Sequence, residues 1–274
     1  MQITAAMVKE LRERTGSGMM ECKKALQETD GDIDAAIENM RKAGLAKADK
    51  KAGRVAAEGR IAIKISEDGK SAVIVEANCE TDFVSGGEDF MAFVSEIADA
   101  ALANKPESIE ALLELSADGA QSIEEKRKSM VSKIGENIQV RRFHIMNATA
   151  GSFGSYLHGT RIGVLLEMEN GNEDLIKDIA MHIAATNPVS VRPEDVPEDI
   201  LSREQEIYKK QALETEKPEN LIAKIVEGKM KKYFTENCLL KQAYVRDSDL
   251  AVEDLLNELI AKIGENITIR RFVR

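Results

Sequence analysis

The sequence predicts an α+β fold: an N-terminal three-helix bundle, a core of two related lobes, and an inserted antiparallel coiled-coil hairpin. Three observations lead to this prediction. One eleven-residue phrase occurs twice, strand-like runs lead into helical runs ahead of each copy, and two further stretches show helical periodicity alone. A duplicated α+β core flanked by helical modules accounts for all three.

The repeated phrase is the most informative of these features. Lys133–Phe143 reads KIGENIQVRRF and Lys262–Phe272 reads KIGENITIRRF, so the copies differ only at their seventh and eighth letters. Each copy opens at an apolar helix end, passes a glycine that commonly stops a helix, and ends in a run rich in β-branched residues. The copies lie further apart than the ~20–50 residues of a solenoid unit. The phrase therefore predicts two lobes that close with the same helix–strand unit.

Residues 1–45 predict three short helices. Thr4 is suited to cap the first, and Asp32 is suited to cap a third that ends at Gly44. Apolar residues recur at helical spacing in all three. A bundle this small has a thin core and is typical of a docking module. Residues 46–58, which alternate alanine with lysine, are expected to form a helical or extended linker.

Each lobe is expected to contain a β-hairpin, helices and the repeated phrase. In the first lobe, residues 59–147, two alternating runs flank Asp68-Gly69, a strong hairpin signal. Its expected elements are strands 60–66 and 71–78, a loop Cys79–Gly87, and helices 88–103 and 122–134. The second lobe, residues 148–190 and 234–274, repeats this order with strands 152–158 and 161–169 and helices 173–186 and 252–263.

Residues 191–233 interrupt the second lobe and predict a helical hairpin. Pro197 opens a polar helix to about Thr215, and Pro218 opens another to about Tyr233. The apolar stripe of the second helix is Ile222, Val226, Met230 and Tyr233. Arms of only about two to three heptads predict an antiparallel coiled coil that protrudes and touches a partner. Self-association through this hairpin is a further expectation.

Composition narrows the classes of function. The formal net charge is −10, and nucleic-acid phosphates repel so acidic a chain, so we expect no nucleic-acid partner. Three widely separated cysteines without a Cys-x-x-Cys motif argue against a disulfide framework or structural zinc. No apolar run reaches membrane-spanning length, and the N-terminus lacks a signal-peptide pattern. We expect a cytoplasmic, reduced protein with no membrane partner.

The residue pattern does not indicate covalent catalysis or a nucleotide site. The three histidines lie on different predicted elements, and no serine or cysteine has nucleophile-elbow spacing. A lone histidine at a strand end, such as His158, is more often structural than functional. A phosphate-binding Gly-x-x-x-x-Gly-Lys-Ser/Thr motif is also missing. We therefore expect no catalytic residue, no metal site and no cofactor.

The loop Cys79–Gly87 is the strongest candidate for a functional segment, because it places a carboxylate and an aromatic residue at the end of a predicted strand. Taken alone, they favour a structural interpretation, in which Asp82 caps a turn or helix and Phe83 folds back onto the core. A metal-site interpretation would use Glu76, Glu80 and Asp82. It is weak because no phosphate-binding group accompanies these carboxylates.

Several segments together resemble the elongation factor Ts family, over nearly the whole chain. The matching segments are VKELRERTG at 8–16, MMECKKAL at 19–26, TDFV at 81–84, KIGENIQVRR at 133–142, HGTRIGVL at 158–165, MHIAA at 181–185 and EGKMKK at 227–232. The resemblance implies a ubiquitin-associated-like bundle, a duplicated core and a coiled-coil hairpin. Many members continue past the second repeat, whereas this sequence ends at Arg274, so we expect contacts of such an extension to be lacking and affinity to be lower.

The resemblance also changes the interpretation of the loop. It implies a guanine nucleotide exchange factor, without covalent catalysis, that releases GDP from elongation factor Tu by binding its nucleotide-free state. The residues implied to disturb the magnesium and phosphate site of that partner are Thr81, Asp82, Phe83 and Val84, with His158 beside Phe83. The residues implied to make secondary contacts are Ile134 and Gly135 near that site, and Lys9, Leu11, Arg12, Met19 and Met20 in the bundle. The second lobe is implied to reach a distal domain of the partner.

Two alternatives stay open at this point. A ubiquitin-associated-like adaptor without exchange activity would only hold a partner, and would bind it equally whatever nucleotide is present. A metal-dependent hydrolase would show turnover and would lose it when Asp82 is replaced by alanine. A GDP-release assay with elongation factor Tu separates all three classes.

Overall fold

The computed structural model describes residues 2–116, 121–214 and 218–274. Within these residues the helices are α1 Ala5–Thr15, α2 Met19–Glu28, α3 Ile33–Lys51, α4 Asp82–Ser85, α5 Glu88–Asn104, α6 Ile109–Glu114, α7 Ile123–Ile134, α8 Glu173–Thr186, α9 Glu198–Leu213, α10 Glu219–Asn237 and α11 Val252–Ile263. The strands are β1 Glu58–Ile65, β2 Ser71–Cys79, β3 Gln139–Asn147, β4 Ser152–His158, β5 Ile162–Glu169, β6 Ala243–Tyr244, β7 Asp247–Ala251 and β8 Thr268–Val273. The predicted α+β class is confirmed.

The chain divides into two compact units. The first contains Met1–Lys64 and Val75–Ile145, and the second contains Ile65–Ile74 and Met146–Arg274. Each unit therefore carries one copy of the repeated phrase. The finer division into a bundle, a linker, two lobes and an inserted hairpin stays a prediction.

The N-terminal helices begin where the sequence predicts. The hydroxyl oxygen of Thr4 accepts a hydrogen bond from the Met7 amide at 3.3 Å, and Asp32 accepts one from the Ala35 amide at 3.0 Å. Side-chain oxygens at these positions satisfy amides that a helix leaves unpaired at its first turn. The residues buried between the three helices are Leu11, Cys22, Ala25, Leu26 and Ala36.

Helix α3 does not end at Gly44 but continues to Lys51, so the predicted helix end is wrong. Gly44 lies against α7, where a Cβ atom would come within 3.2 Å of the Ser132 Cβ. An ion pair of 3.2 Å between Lys128 and Asp49 joins the same two helices. The glycine therefore allows close approach of the helices, and the tertiary contact outweighs its weak helix propensity.

The two larger sheets share one strand order. The first runs β1–β2–β3 and the second runs β4–β5–β8, so in both a strand from the repeated phrase follows the hairpin strands. In the second sheet β4 pairs antiparallel with β5, which pairs antiparallel with β8. Helix α8 packs against β4 and β5, and residues such as Leu166, Ile179 and Ile269 are buried there.

One ion pair recurs in both copies. Glu76 accepts a hydrogen bond from Arg142 at 2.6 Å, and Glu167 accepts one from Arg271 at 2.7 Å. Both arginines occupy the tenth letter of the repeated phrase. The duplication therefore extends from the backbone to a specific pair of side chains.

Residues of the predicted hairpin form two helices that pack on each other. Ile222, Met230 and Tyr233 of the predicted stripe are buried, and Val226 packs against this cluster. The predicted end of the first arm at Thr215 lies outside the described residues. The antiparallel coiled-coil geometry stays a prediction. No helix in the described part of the chain is long and apolar enough to span a bilayer.

Candidate partner-binding site

The predicted loop between β2 and α5 contains the short helix α4, Asp82–Ser85. Thr81 has extended backbone geometry, and its hydroxyl accepts a hydrogen bond from the Val84 amide at 3.4 Å. Thr81, not Asp82, is therefore the capping residue, and the predicted cap was wrong by one position. Asp82 follows in the first helical turn, where a carboxylate is favoured by the helix dipole.

The two apolar residues of α4 face opposite environments. Val84 is buried, whereas the Phe83 side chain is 87% exposed. The structural interpretation of Phe83, folded back onto the core, is therefore wrong. Successive side chains on a helix point about 100° apart, so burying Val84 directs its neighbour outward. Val84, predicted as part of the partner-binding segment, is therefore reassigned as the buried anchor of the helix, and Phe83 is its solvent-facing apolar side chain.

A pair of carboxylates holds the segment that leads into α4. Glu136 accepts hydrogen bonds from the Glu80 amide at 3.1 Å, the Thr81 amide at 3.0 Å and the Thr81 hydroxyl at 2.7 Å. Glu80 in turn accepts a bond from the Asn137 amide at 2.6 Å. We call this set of reciprocal bonds the clamp. It joins the first repeated phrase to the Phe83 helix.

Ile134 and Gly135 directly precede the clamp. Ile134 is half-buried at the end of α7, and Gly135 ends that helix in the left-handed conformation with φ 91°. That turn brings the next residue, Glu136, to the Thr81 backbone. The structure thus groups Ile134 and Gly135 with the predicted Thr81–Val84 segment in the first unit.

His158 belongs to the second unit. It is exposed at the end of β4, and its Nδ1 lies 3.2 Å from the Tyr156 hydroxyl. The juxtaposition of His158 with Phe83 stays a prediction.

The N-terminal candidates divide into surface and core. Lys9 and Arg12 are exposed, and the side chains of Met19 and Met20 are 60% and 73% exposed at the start of α2. Leu11 is fully buried inside the bundle, so its side chain is not available to a partner. We reassign Leu11 to the core.

Two of the three carboxylates of the metal-site interpretation are engaged in other interactions. Glu76 pairs with Arg142, Glu80 accepts the Asn137 amide, and Asp82 is exposed. Across the described ranges, no cluster of three or more His, Cys, Asp or Glu side chains is placed to hold a metal ion. The hydrolase alternative therefore has no ligand set among the described residues.

Comparisons with known proteins assign this chain to a family. The family model for elongation factor TS matches residues 80–259. Elongation factor Ts of Alkalilimnicola ehrlichii is 53% identical over 100% of this chain and 91% of its own length. The proteins of the same name from Halorhodospira halophila and Clostridium novyi are 55% and 48% identical, over 96% and 99% of this chain and 90% and 92% of their own lengths.

These matches define an elongation factor of protein biosynthesis. More specifically, the chain belongs to the elongation factor Ts family.

Proposed function

We propose that this chain catalyses GDP release from elongation factor Tu by binding the nucleotide-free partner and disturbing its magnesium and phosphate site. The observation that carries the proposal is Phe83, which is 87% exposed although the clamp holds the Glu80 and Thr81 backbone just before it and Val84 just after it is buried. Covering a large apolar side chain that is held in solvent lowers the free energy, so such a side chain favours binding to a partner that buries it. Phe83 then acts as a wedge, with exposed Asp82 beside it at the partner's magnesium site.

The mechanism is free-energy coupling and not bond chemistry. A GTPase holds its nucleotide through phosphate-loop amides, a lysine and magnesium, and nanomolar affinity corresponds to about 12 kcal/mol. A protein that binds the empty conformation more tightly must, by reciprocity, weaken nucleotide binding. Burial of one phenylalanine contributes about 1.5–3 kcal/mol, so a broad interface must supply the rest. Lys9, Arg12, Met19, Met20, Ile134 and Gly135 are the proposed further contacts.

The proposal places the protein in the cytoplasm, with elongation factor Tu as its partner and with no cofactor, nucleic acid or membrane of its own. Translation factor relatives at about half identity along the whole chain support this assignment. The helical hairpin is proposed to serve self-association or a secondary contact.

The test is release of fluorescent GDP from elongation factor Tu by the Phe83→Ala variant. We expect the release rate to fall roughly tenfold to a hundredfold, because about 1.5–3 kcal/mol of burial is lost from the transition state. Val55→Ala is the matched control, since Val55 is also apolar and 82% exposed in the first unit. Full exchange by a folded Phe83→Ala protein would falsify the wedge. Nucleotide-independent binding without exchange by the wild type would instead support the adaptor.

A further inference from the structure

We propose that Glu136 is a positioning residue, whose carboxylate presets the turn that presents Phe83 before the partner arrives. The inference rests on the proposed function. Both carboxylate oxygens of Glu136 are used: Oε2 accepts the Glu80 and Thr81 amides, and Oε1 accepts the Thr81 hydroxyl. Glu136 does not meet the partner in this proposal, but acts through the backbone it holds.

The bonds of Glu136 continue into α4. The Thr81 hydroxyl donates to Glu136 at 2.7 Å and accepts from the Val84 amide at 3.4 Å. Glu136 thereby orients the hydroxyl that caps the helix carrying Phe83. With only Val84 and Ser85 buried, a helix of four residues has little packing of its own to define its direction. The clamp supplies the missing constraint.

The duplication provides an internal comparison. Glu265 occupies the same letter of the second phrase, yet it is exposed and accepts no hydrogen bond from any residue that the structure describes. The second lobe passes from β5 to α8 through residues 170–172, with no counterpart of α4. The glutamate at this position therefore accepts hydrogen bonds in the copy next to the Phe83 helix, as Glu136, and accepts none from the described residues in the other copy, as Glu265. Helix ending alone does not explain this difference, because Gly135 and Gly264 end their helices alike.

Preorganisation predicts a particular kinetic signature. If loss of Glu136 leaves the binding-competent turn populated only about one tenth of the time, the apparent affinity falls about tenfold. The rate at saturation changes little, because the partner still selects the same bound conformation. A lost direct contact to the transition state would instead lower the saturated rate.

The experiment compares Glu136→Ala, Glu136→Gln and the matched control Glu265→Ala in GDP release from elongation factor Tu. We expect about a tenfold rise in the half-saturating concentration for Glu136→Ala, a smaller rise for Glu136→Gln, and no change for Glu265→Ala. The amide of glutamine has one acceptor oxygen where the carboxylate has two, so it restores only part of the clamp. Hydrogen exchange in the free protein should quicken at the Thr81–Ser85 amides in the two Glu136 variants alone.

A double variant separates this inference from the proposed function. Because Glu136 acts through Phe83, adding Glu136→Ala to Phe83→Ala should cost little beyond the Phe83 change. An additive loss, or unchanged amide exchange in a folded Glu136→Gln protein, overturns the positioning role while leaving the wedge intact. Full exchange activity in the Phe83→Ala protein would overturn the proposed function itself, independently of the results for the Glu136 variants.

Discussion

Nδ1 of His182 accepts a hydrogen bond from the Val245 amide at 3.1 Å. Nε2 of the same ring lies 2.9 Å from the Gln242 side-chain oxygen, so it carries the proton and donates. A ring that accepts at one nitrogen and donates at the other is neutral. Burial lowers the pKa of His182, and the bond to Gln242 offsets this only in part. The neutral ring joins α8 to the segment that contains β6.

We predict that acid weakens the protein through His182. The unfolded state takes up a proton near the ordinary histidine pKa of about 6.5, whereas the folded state resists it until lower pH. The free energy of unfolding should therefore fall as the pH drops from about 6.5 toward the lowered pKa of the folded state. Urea unfolding at several pH values measures the slope, which His182→Gln should flatten. His144→Gln, at an exposed histidine, should leave it unchanged; an equal effect of both variants would refute the assignment.

We predict that removing the glutamate lowers the free energy of unfolding by different amounts in the two equivalent ion pairs. Glu167 is fully buried, and although burial raises its pKa, bonds from Arg271 and from the Ala150 and Thr149 amides outweigh burial and lower it. We expect Glu167→Ala to cost about 1–3 kcal/mol, because it removes a buried carboxylate together with its charge-assisted hydrogen bonds to Arg271, Thr149 and Ala150. Glu76→Ala should cost less, since its partner Arg142 is largely exposed. Chemical unfolding compares the two, and a larger loss for Glu76→Ala would contradict this view.

The same lowered pKa gives a pH dependence in the acid range. The stabilisation from Glu167 is present above the ordinary glutamate pKa of about 4.3 and is lost as the pH falls through the lowered value. Unfolding measured below pH 5 should show a shallower loss in Glu167→Ala than in the wild type. If the free energy of unfolding fell equally with pH in the two proteins, Glu167 would not contribute to acid unfolding.

Met19 and Met20 should act through affinity. Their exposed side chains offer apolar area at the start of α2, whereas Phe83 is untouched by their removal. We expect Met19→Gln/Met20→Gln to raise the half-saturating concentration in GDP release several-fold, while the saturated rate stays within about twofold. Glu28→Gln, at an exposed position on the same helix, is the control. If the GDP-release rate at saturation fell strongly while the half-saturating concentration stayed the same, the bundle would take part in the exchange step itself.

His158 should share its target with Phe83. We expect His158→Ala to slow GDP release less than Phe83→Ala does, and the double variant to cost less than the sum. Two side chains that enter one pocket of a partner are coupled, and a double-mutant cycle on release rates measures this coupling. Strict additivity would assign them to separate pockets.

The sequence predicted most elements because the repeated phrase and the helix caps are local signals. Gly44 was misassigned because its role depends on Ser132, which lies far away in the chain. The sequence could not predict that Val84 is buried and Phe83 exposed, because two adjacent apolar residues do not show which one faces the core. Glu136 was overlooked although it lies inside the repeated phrase, because its partners, Glu80 and Thr81, are set by the fold. A carboxylate directly after a helix-ending glycine was the available signal.

Cys79 lies under the clamp. Its thiol is buried and donates to the Thr81 carbonyl oxygen at 3.2 Å, and burial together with the nearby Glu136 carboxylate raises its pKa to about 11. A protonated, enclosed thiol reacts slowly with alkylating reagents, and we expect it to become reactive when the Thr81 segment, which accepts its hydrogen bond, moves away. We therefore expect the rate at which Cys79 is labelled to report how often the Phe83 turn opens, without any introduced probe.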